Sequence, residues 1–324
     1  MHKFTFILPA YKPQYLGLSI NSILEQTYTD FEILVSDDNS PYSIKNIVDS
    51  YDDKRIRYRK NSTNIGGENL VQHWNALLKD CQSEFVIVAS DDDVYSNLFL
   101  EKIHVLTLEY PNANLFRART QRINSSGEII AQDDLFEEYQ SKIDVLYSIF
   151  CKNFISCVGN YVFRTDSLKN LNGFVPFPYA WFSDLFTALC VVANGMISTR
   201  DILFSFRLSS DNISSLNKDK YITKQKLDAT IKFDRLLGEY IKKTNYPDNL
   251  LYKNNMQRIL HSYKHLVYSQ CGDYSWAIPL FKWFSIYKNL KMNIYFSRAS
   301  FFKYYTISIF NRWFSKHYIF DNII

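Results

Sequence analysis

From its first residues to about position 110 the chain alternates short uncharged runs with stretches whose apolar residues recur at helical spacing. No other feature restricts the fold as much. FTFIL (4–8) is an apolar run ended by Pro9, and Leu16, Ile20, Ile23 and Leu24 then repeat with helical period until TYTD (27–30) breaks the pattern. FEILV (31–35), RIRYR (55–59) and FVIVA (85–89) read as further strands. Helices are expected near Ile44 to Tyr51, after the turn and N-cap of DDNSPYS, and through Leu70, Trp74, Leu77 and Leu78, after the glycine loop NIGGEN. Strands that alternate with helices imply a parallel sheet covered on both faces, whose ligands bind beyond the carboxyl ends of the strands. Two acidic clusters stand at such ends, Asp37-Asp38 and Asp91-Asp92-Asp93.

Between 114 and about 210 the pattern is mixed. NLFRARTQRI and EIIA, joined by NSSG, predict a hairpin, and NYVFRTDSL a further strand. GFVPFPYAWF predicts a proline- and aromatic-rich loop, and SDLFTALCVVANG a helix with a Ser or Asp cap. Beyond Ser215 the chain becomes helical and lysine-rich and leads to an aromatic, basic tail. The expected division is therefore a domain over 1–215, with halves 1–110 and 111–215, and a helical region over 216–324. A content of 47% hydrophobic and 17% aromatic residues is ample for a packed core and excludes a disordered chain. Five cysteines without CxxC spacing read as reduced thiols of a cytoplasmic protein rather than a disulfide or zinc framework. No signal peptide is expected, and the longest uncharged run near the middle, Leu185 to Ile197, is shorter than the roughly 20 residues of a spanning helix.

Three carboxylates at the end of a buried strand raise one another's proton affinity unless a cation compensates. Hard oxygen ligands suit magnesium or manganese, and magnesium takes one or two carboxylates and completes its shell with phosphate oxygens. A divalent ion on a diphosphate is the ligand this chemistry points to, with a solvated acidic turn or a helix cap as the structural alternative. The histidines show no metal-ligand spacing.

The stretch FTFILPAYKPQYLGLSINSILEQTYTDFEILVSDDNS resembles, along its whole length, the N-terminal segment of family 2 inverting glycosyltransferases. Those enzymes have the GT-A fold, a Rossmann-like, mostly parallel sheet flanked by helices that binds a nucleotide sugar. The order is the same: strand, Pro-x-Tyr, a helix carrying Ser-Ile-x-Ser-Ile, Gln-Thr-Tyr, strand, Asp-Asp-x-Ser. ASDDDVY (89–95) occupies the place of the family's Asp-x-Asp metal motif. The resemblance implies that Pro9, Ala10 and Tyr11 line the nucleotide pocket, that Asp38 accepts from the base, and that Asp91 lies near the ribose. It makes Asp92, and after it Asp93, candidate ligands of Mn2+ or Mg2+. It further implies that Asp184, in a helix start after Gly173-Phe174, takes the acceptor's proton. Trp181 and Phe182 are candidate sugar-stacking residues, and Arg207 a candidate diphosphate contact. The chain departs from the family pattern at three places: Ser90 and Ser183 stand where acids are common, and Trp74-Asn75 where Arg-Asn is common.

The expected function is inverting, non-processive transfer of one sugar from a nucleotide donor, UDP-linked, to a saccharide acceptor carried on a lipid diphosphate in cell-surface polysaccharide synthesis. A catalytically silent nucleotide-sugar-binding subunit of an assembly complex is the alternative. Aromatic and basic residues at near-helical intervals over 276–324 suggest peripheral contact with the inner face of the cell membrane. A net charge of +4 on 324 residues gives no reason to expect a nucleic-acid partner.

Overall fold

The computed structural model describes residues 2–209, 212, 220–244, 250–274 and 306. They divide into two compact units. The first is Met1–Pro176 with Ser183–Asn212, and the second is Phe177–Phe182 with Ile213–Ile324. The membrane-contact expectation for 276–324 falls outside the described residues except for position 306. Among the described residues no helix is long and apolar enough to cross a membrane.

The first unit is built on one sheet. Strands β1 (Phe4–Ala10), β2 (Phe31–Asp37), β3 (Ile56–Lys60) and β4 (Phe85–Val88) alternate with helices α1 (Leu16–Leu24), α2 (Ile44–Asp49) and α3 (Gly66–Asp80). Two-residue β5 (Val94–Tyr95) precedes α4 (Phe99–Glu109). Strands β6 (Leu115–Ile123), β7 (Ile129–Gln132) and β8 (Tyr139–Gln140), helix α5 (Lys142–Cys151), strand β9 (Tyr161–Arg164), helices α6 (Thr165–Asn170) and α7 (Ser183–Val191), and strand β10 (Met196–Arg207) complete it. The strand order is β3-β2-β1-β4-β9-β6-β10-β5, with β7 beside β6 and β8 beside β10. Strands β1 to β4 pair in parallel and β6 pairs in parallel with β10, while β9 runs antiparallel between β4 and β6. Six strands therefore share one direction.

That direction is possible because both faces of the central strands are covered. Phe4, Phe6, Ile7 and Leu8 of β1 are all fully buried, as an uncharged run without polar alternation requires. Phe6 meets Phe31 and Tyr95 edge-on at 5.9 and 5.2 Å, and Leu16, Ile20 and Ile23 of α1 lie in the same core. Each such aromatic side chain contributes roughly 2–3 kcal/mol of burial. The helix-period residues thus cover the sheet whose carboxyl ends carry the acids.

Two segments differ from the sequence reading. NYVFRTDSL is a strand only to Arg164, because Arg164 pairs with Phe85, the first residue of β4, and the ladder ends there; Thr165 starts α6. Arg207, expected in a loop, is the last residue of β10, held in register against Ile123 of β6.

At the far side of the sheet a buried ion pair fixes the connection into β9. Arg117 Nη2 lies 2.7 Å from Asp133 Oδ2, both side chains fully buried, and the guanidinium stacks on Phe154 at 4.0 Å. Asp133 also accepts from the backbone N–H groups of Thr120 (2.8 Å) and Ile155 (2.6 Å).

In the second unit α8 (Lys220–Lys243) and α9 (Leu250–Tyr274) pack through Phe233 and Tyr263, and Tyr263 Oη donates to the buried Asp234 at 2.9 Å. Residues 177–182 belong to this unit: Phe182 stacks on Phe233 with ring centroids 4.3 Å apart. Tyr179, Ala180 and Phe182 in this segment have positive φ (55°, 55° and 72°), a conformation that costs L-residues energy and persists where packing imposes it.

Removing one member of the buried pair leaves the other charge without its counter-ion. Arg117→Met is expected to destabilise the first unit by about 3–5 kcal/mol, read as a lower denaturation midpoint in urea. An unchanged midpoint would show that the two N–H groups alone satisfy Asp133.

Candidate active site

The three adjacent aspartates leave β4 together, and each is held differently. Asp91 Oδ2 accepts from the backbone N–H groups of Tyr11 (3.0 Å) and Lys12 (2.8 Å), which ties the acidic loop to the end of β1. Asp93 is only 1% exposed, and its Oδ1 accepts from the N–H of Arg207 at 2.9 Å. Asp92, between them, is partly exposed, and its carboxylate bonds its own backbone N–H. Burial first, and then the Asp91 charge beside it, push the Asp92 carboxyl up to about 6. Burial also raises Asp91, against the pull of the two N–H donors, and raises Asp93, where the Asp92 charge adds to it.

The loop keeps its shape through neutral groups. Ser19 Oγ donates to the Ser90 carbonyl (2.7 Å) and Ser22 Oγ accepts from Tyr95 N (3.1 Å). Gln26 spans Ser96 and Leu100, donating to the Ser96 carbonyl (2.7 Å) and accepting from Leu100 N (2.8 Å). Ser19, Ser22 and Gln26 are buried at i, i+3 and i+7, one polar stripe on one face of α1 and the turn after it. The Ser-Ile-x-Ser-Ile pattern and the following Gln thus carry a physical meaning that spacing alone did not reveal. Buried serines inside an apolar helix were the available signal. From the opposite side Arg207 donates through Nε to the Asp92 carbonyl (2.9 Å) and through Nη1 to the carbonyls of Asn124 (3.2 Å) and Ser125 (3.4 Å), with its guanidinium 4.4 Å from the Tyr15 ring centroid. Arg207 is 4% exposed, so it braces the loop from behind instead of standing open to a phosphate.

A second group of polar residues lies at the ends of β1 and β2. Asp38 N donates to the Ala10 carbonyl (2.9 Å), and Ser40 Oγ donates to the Tyr11 carbonyl (2.6 Å). Ala10 is wholly buried, Pro9 is partly buried, and Tyr11 is exposed. The Asp38 carboxylate accepts from Asn61 Nδ2 (2.9 Å), Ile65 N (2.9 Å) and Gly66 N (2.6 Å), so it caps the start of α3. Three of its roughly four acceptor sites are used, His73 Nδ1 stands 3.6 Å from Oδ1, and Asp38 is 4% exposed. A Cβ on Gly66 would stand 2.8 Å from Asp38 Oδ2, which explains a glycine in the NIGGEN loop. Behind Asp38 the buried His73 bonds Ser36 Oγ at 2.9 Å. Asp37 is taken by Tyr58 Oη (2.8 Å) and Ser40 N (2.8 Å) and serves the turn.

Asp184 lies in the first turn of α7, where the helix dipole favours an acid. Its Oδ2 accepts from Ser156 Oγ at 3.3 Å, and burial, outweighing the Leu185 N–H and Ser156, raises its carboxyl. A raised carboxyl is a stronger base, provided it is ionised at the working pH. The loop leading to it is held by α3. Asn75 accepts from Phe174 N (2.7 Å) and donates to the Phe174 carbonyl (3.1 Å), while Trp74 meets the Phe174 ring edge-on at 5.4 Å. Gly173 has φ +91°, and a Cβ there would meet Asn75 Oδ1 at 2.4 Å. Trp74-Asn75 thus hold the approach to Asp184 where an Arg-Asn pair was the pattern.

One segment, Ile155–Asn160, connects the two acidic ends. Ser156 bonds Asp184, the carbonyl of Gly159 accepts from Tyr95 Oη at 3.0 Å, and the Cys157 thiol between them is pushed up by burial and then by the charges of Asp93 and Asp184. Asp91, Asp92, Asp93 and Asp184 therefore belong to one region of the first unit. Ser183 is fully buried, and its carbonyl accepts from Thr187 Oγ1 at 2.6 Å. Ser90 contributes its carbonyl to Ser19, and its hydroxyl favours the ionised form of Asp93, where a further acid would oppose it. Trp181 and Phe182 lie in the second unit. Phe233 covers one face of Phe182, and Lys226 Nζ stands 4.6 Å from the Trp181 ring centroid.

The model of the family described as Glycosyl transferase family 2 matches residues 5–171. WfgD of Escherichia coli, a UDP-Glc:alpha-D-GlcNAc-diphosphoundecaprenol beta-1,3-glucosyltransferase, is 26% identical over 226 residues, 68% of this chain and 83% of its own. TarS of Staphylococcus aureus, a poly(ribitol-phosphate) beta-N-acetylglucosaminyltransferase, is 26% identical over 180 residues, 54% of this chain and 30% of its own. The crystal structure of a TarS fragment with UDP-GlcNAc covers 94% of this chain and 90% of that one, with a TM-score of 0.64 and 19% identity. A mannosyltransferase from Pyrobaculum calidifontis, solved with GDP-Man and Mn2+, covers 95% of this chain and 84% of that one, with a TM-score of 0.56 and 14% identity. At these identities the structures show the fold, which is GT-A.

The Asp92 carboxyl, at about 6, binds its proton more tightly in the folded chain than in the unfolded one, so its contribution favours folding at low pH and turns against it as pH rises through 6. Asp92→Asn removes that opposition. It is expected to raise stability at pH 7.5 by about 1–3 kcal/mol, seen as a higher thermal midpoint, and to give no gain at pH 4. Differential scanning calorimetry at both pH values reads this directly, and a loss of stability at pH 7.5 would show a compensated charge.

Proposed function

The chain belongs to glycosyltransferase family 2, and from that premise we propose that it moves one sugar, with inversion, from a UDP-sugar to a saccharide acceptor on a lipid diphosphate. The observation that carries this reading is the Ile155–Asn160 segment, which relates Asp184 at the start of α7 to the acidic loop at the end of β4. The UDP donor is supported by the names of WfgD and of the TarS complex, and the lipid-linked acceptor by that of WfgD. A working place at the membrane surface, where such acceptors reside, is part of the proposal.

In this reading Asp38 accepts from the base, with Pro9, Ala10 and Tyr11 lining the nucleotide site. Asp91, held by the N–H groups of Tyr11 and Lys12, faces the ribose. Asp184 takes the proton of the acceptor hydroxyl as its oxygen attacks the anomeric carbon. The new glycosidic bond forms on the face opposite the departing diphosphate while the bond from that carbon to the diphosphate oxygen breaks, so one displacement inverts the centre. Trp181, three residues before Asp184, is proposed to stack on a sugar face, whereas Phe182 is committed to Phe233.

The residues fit a divalent cation through Asp92, a partly exposed hard-oxygen donor, and Asp93, whose Oδ1 accepts from Arg207 N while its buried Oδ2 has no hydrogen-bond partner among the described residues. No three His, Cys, Asp or Glu side chains among the described residues group to hold a metal by themselves, so Asp92, and after it Asp93, would hold the ion together with phosphate oxygens of the donor. When bound, Mn2+ or Mg2+ would offset the charge of the departing diphosphate.

The test is nucleotide release from a panel of UDP-sugars with Mn2+ or Mg2+. Turnover of at least one is expected. None would favour the alternative of a silent nucleotide-sugar-binding subunit. Asp184→Asn is expected to bind UDP as the wild type does by calorimetry and to lose transfer by about 10²–10⁴-fold. Retained transfer would remove Asp184 from the role of base.

A further inference from the structure

Asp184 Oδ2 accepts from a serine that is itself bonded to a buried phenol. Ser156 Oγ lies 3.3 Å from Asp184 Oδ2 and 3.0 Å from Tyr161 Oη. An ionised carboxylate only accepts and a serine has one proton to give, so the order of donation is fixed: Tyr161 to Ser156, and Ser156 to Asp184. The 3.3 Å bond is long for an O–H···O pair, and catalytic hydrogen bonds commonly tighten when substrate is bound.

The serine is held from behind by the same buried groups that fix the connection into β9. The N–H of its neighbour Ile155 donates to Asp133 Oδ1 at 2.6 Å, and the Ile155 carbonyl accepts from Arg117 Nη2 (2.7 Å) and Asn160 Nδ2 (2.8 Å). Tyr161 stands opposite Arg117 in the ladder between β6 and β9, so the phenol and the ion pair share one rigid element. The titratable and charged groups facing this array are Tyr161, Cys157, Arg117, Asp133 and, across Cys157, Asp93. Burial keeps Tyr161 protonated, with Arg117 opposing and Asp184 adding to the effect, so the phenol remains a donor over the working range.

We infer that Ser156 and Tyr161 are positioning residues that form a two-hydroxyl relay anchored on the Arg117–Asp133 pair, aiming the Asp184 carboxylate at the acceptor hydroxyl. This rests on the reading of Asp184 as the base. The relay donates to the ionised carboxylate only. Without it Asp184 holds its proton more tightly, and the ionised, active fraction at a given pH falls.

The experiment follows UDP release from the UDP-sugar that the wild-type chain turns over fastest, as a function of pH, in wild type and in Ser156→Ala, Ser156→Thr, Tyr161→Phe and Asp184→Asn. Activity of a base rises with pH through its pKa, so Ser156→Ala is expected to move the acidic limb of kcat up by about one pH unit. That is about a tenfold loss below the limb, with the plateau at high pH and the affinity for UDP little changed. Tyr161→Phe is expected to move the limb the same way by less, and Ser156→Thr, which keeps the hydroxyl, to restore it. An unmoved limb in Ser156→Ala overturns the relay while an inactive Asp184→Asn leaves the base assignment standing. An active Asp184→Asn overturns both. A Ser156→Ala chain that loses activity equally at every pH, or loses UDP binding, assigns Ser156 a structural role and also overturns the relay.

Discussion

Three consecutive carboxylates at the end of a strand buried on both faces repel one another, and the rest of the first unit is arranged around that repulsion. The arrangement uses neutral groups for the most part. Two backbone N–H groups hold Asp91, one holds Asp93, and Ser19, Ser22 and Gln26 hold the backbone on either side. Arg207 spends its donors on carbonyls, and the charges of Lys12 and Arg207 offset part of that of Asp92, less than burial and Asp91 raise it. A site in which burial and like charge outweigh the protein's own cations is suited to binding a positive charge brought from outside, at a cost in folding free energy.

The same economy appears at Asp184. Burial raises its proton affinity, and a serine hydroxyl and a helix start lower it again. Lys12 and Arg207 offset part of the charge at Asp92, and N–H and O–H donors do the same at Asp184. Between them runs a short segment fixed at one end by a buried ion pair and at the other by Tyr95, so the spacing of the two acidic ends depends on core packing remote from solvent. Asn75 and Trp74 add a second tether through Phe174, which links α3 to the approach to Asp184.

Much of this was legible in the sequence because it is local. Uncharged runs of four or five residues ending in Pro9 or in aspartates mark strands and their carboxyl ends, and the topology of alternating strands and helices follows from burial of both faces. What was not legible depends on partners far apart in sequence. NYVFRTDSL carries the strand formers Tyr161, Val162, Phe163 and Thr165, yet the strand stops at Arg164 because β4 offers no residue before Phe85. Arg207 has the chemistry of a phosphate ligand, yet pairing with β6 draws it into the sheet and closes it off. Phe182 has the chemistry of a sugar platform, yet Phe233, some 50 residues away, covers it.

By itself the sequence determined the alternating architecture, the placing of Asp38 and of Asp91 to Asp93 at strand ends, and the resemblance that singled out Asp184, since these depend on residue type, period and order. The tertiary structure alone decided how each of the three carboxylates is held, that Arg207 is closed into the sheet and braces the loop, and that Ser156 and Tyr161 stand beside Asp184. Hydrogen-bond partners are chosen by proximity in the folded chain, and proximity between residues as far apart as Asp92 and Arg207 is set by the register of the sheet and the packing of its helices, which no local pattern encodes.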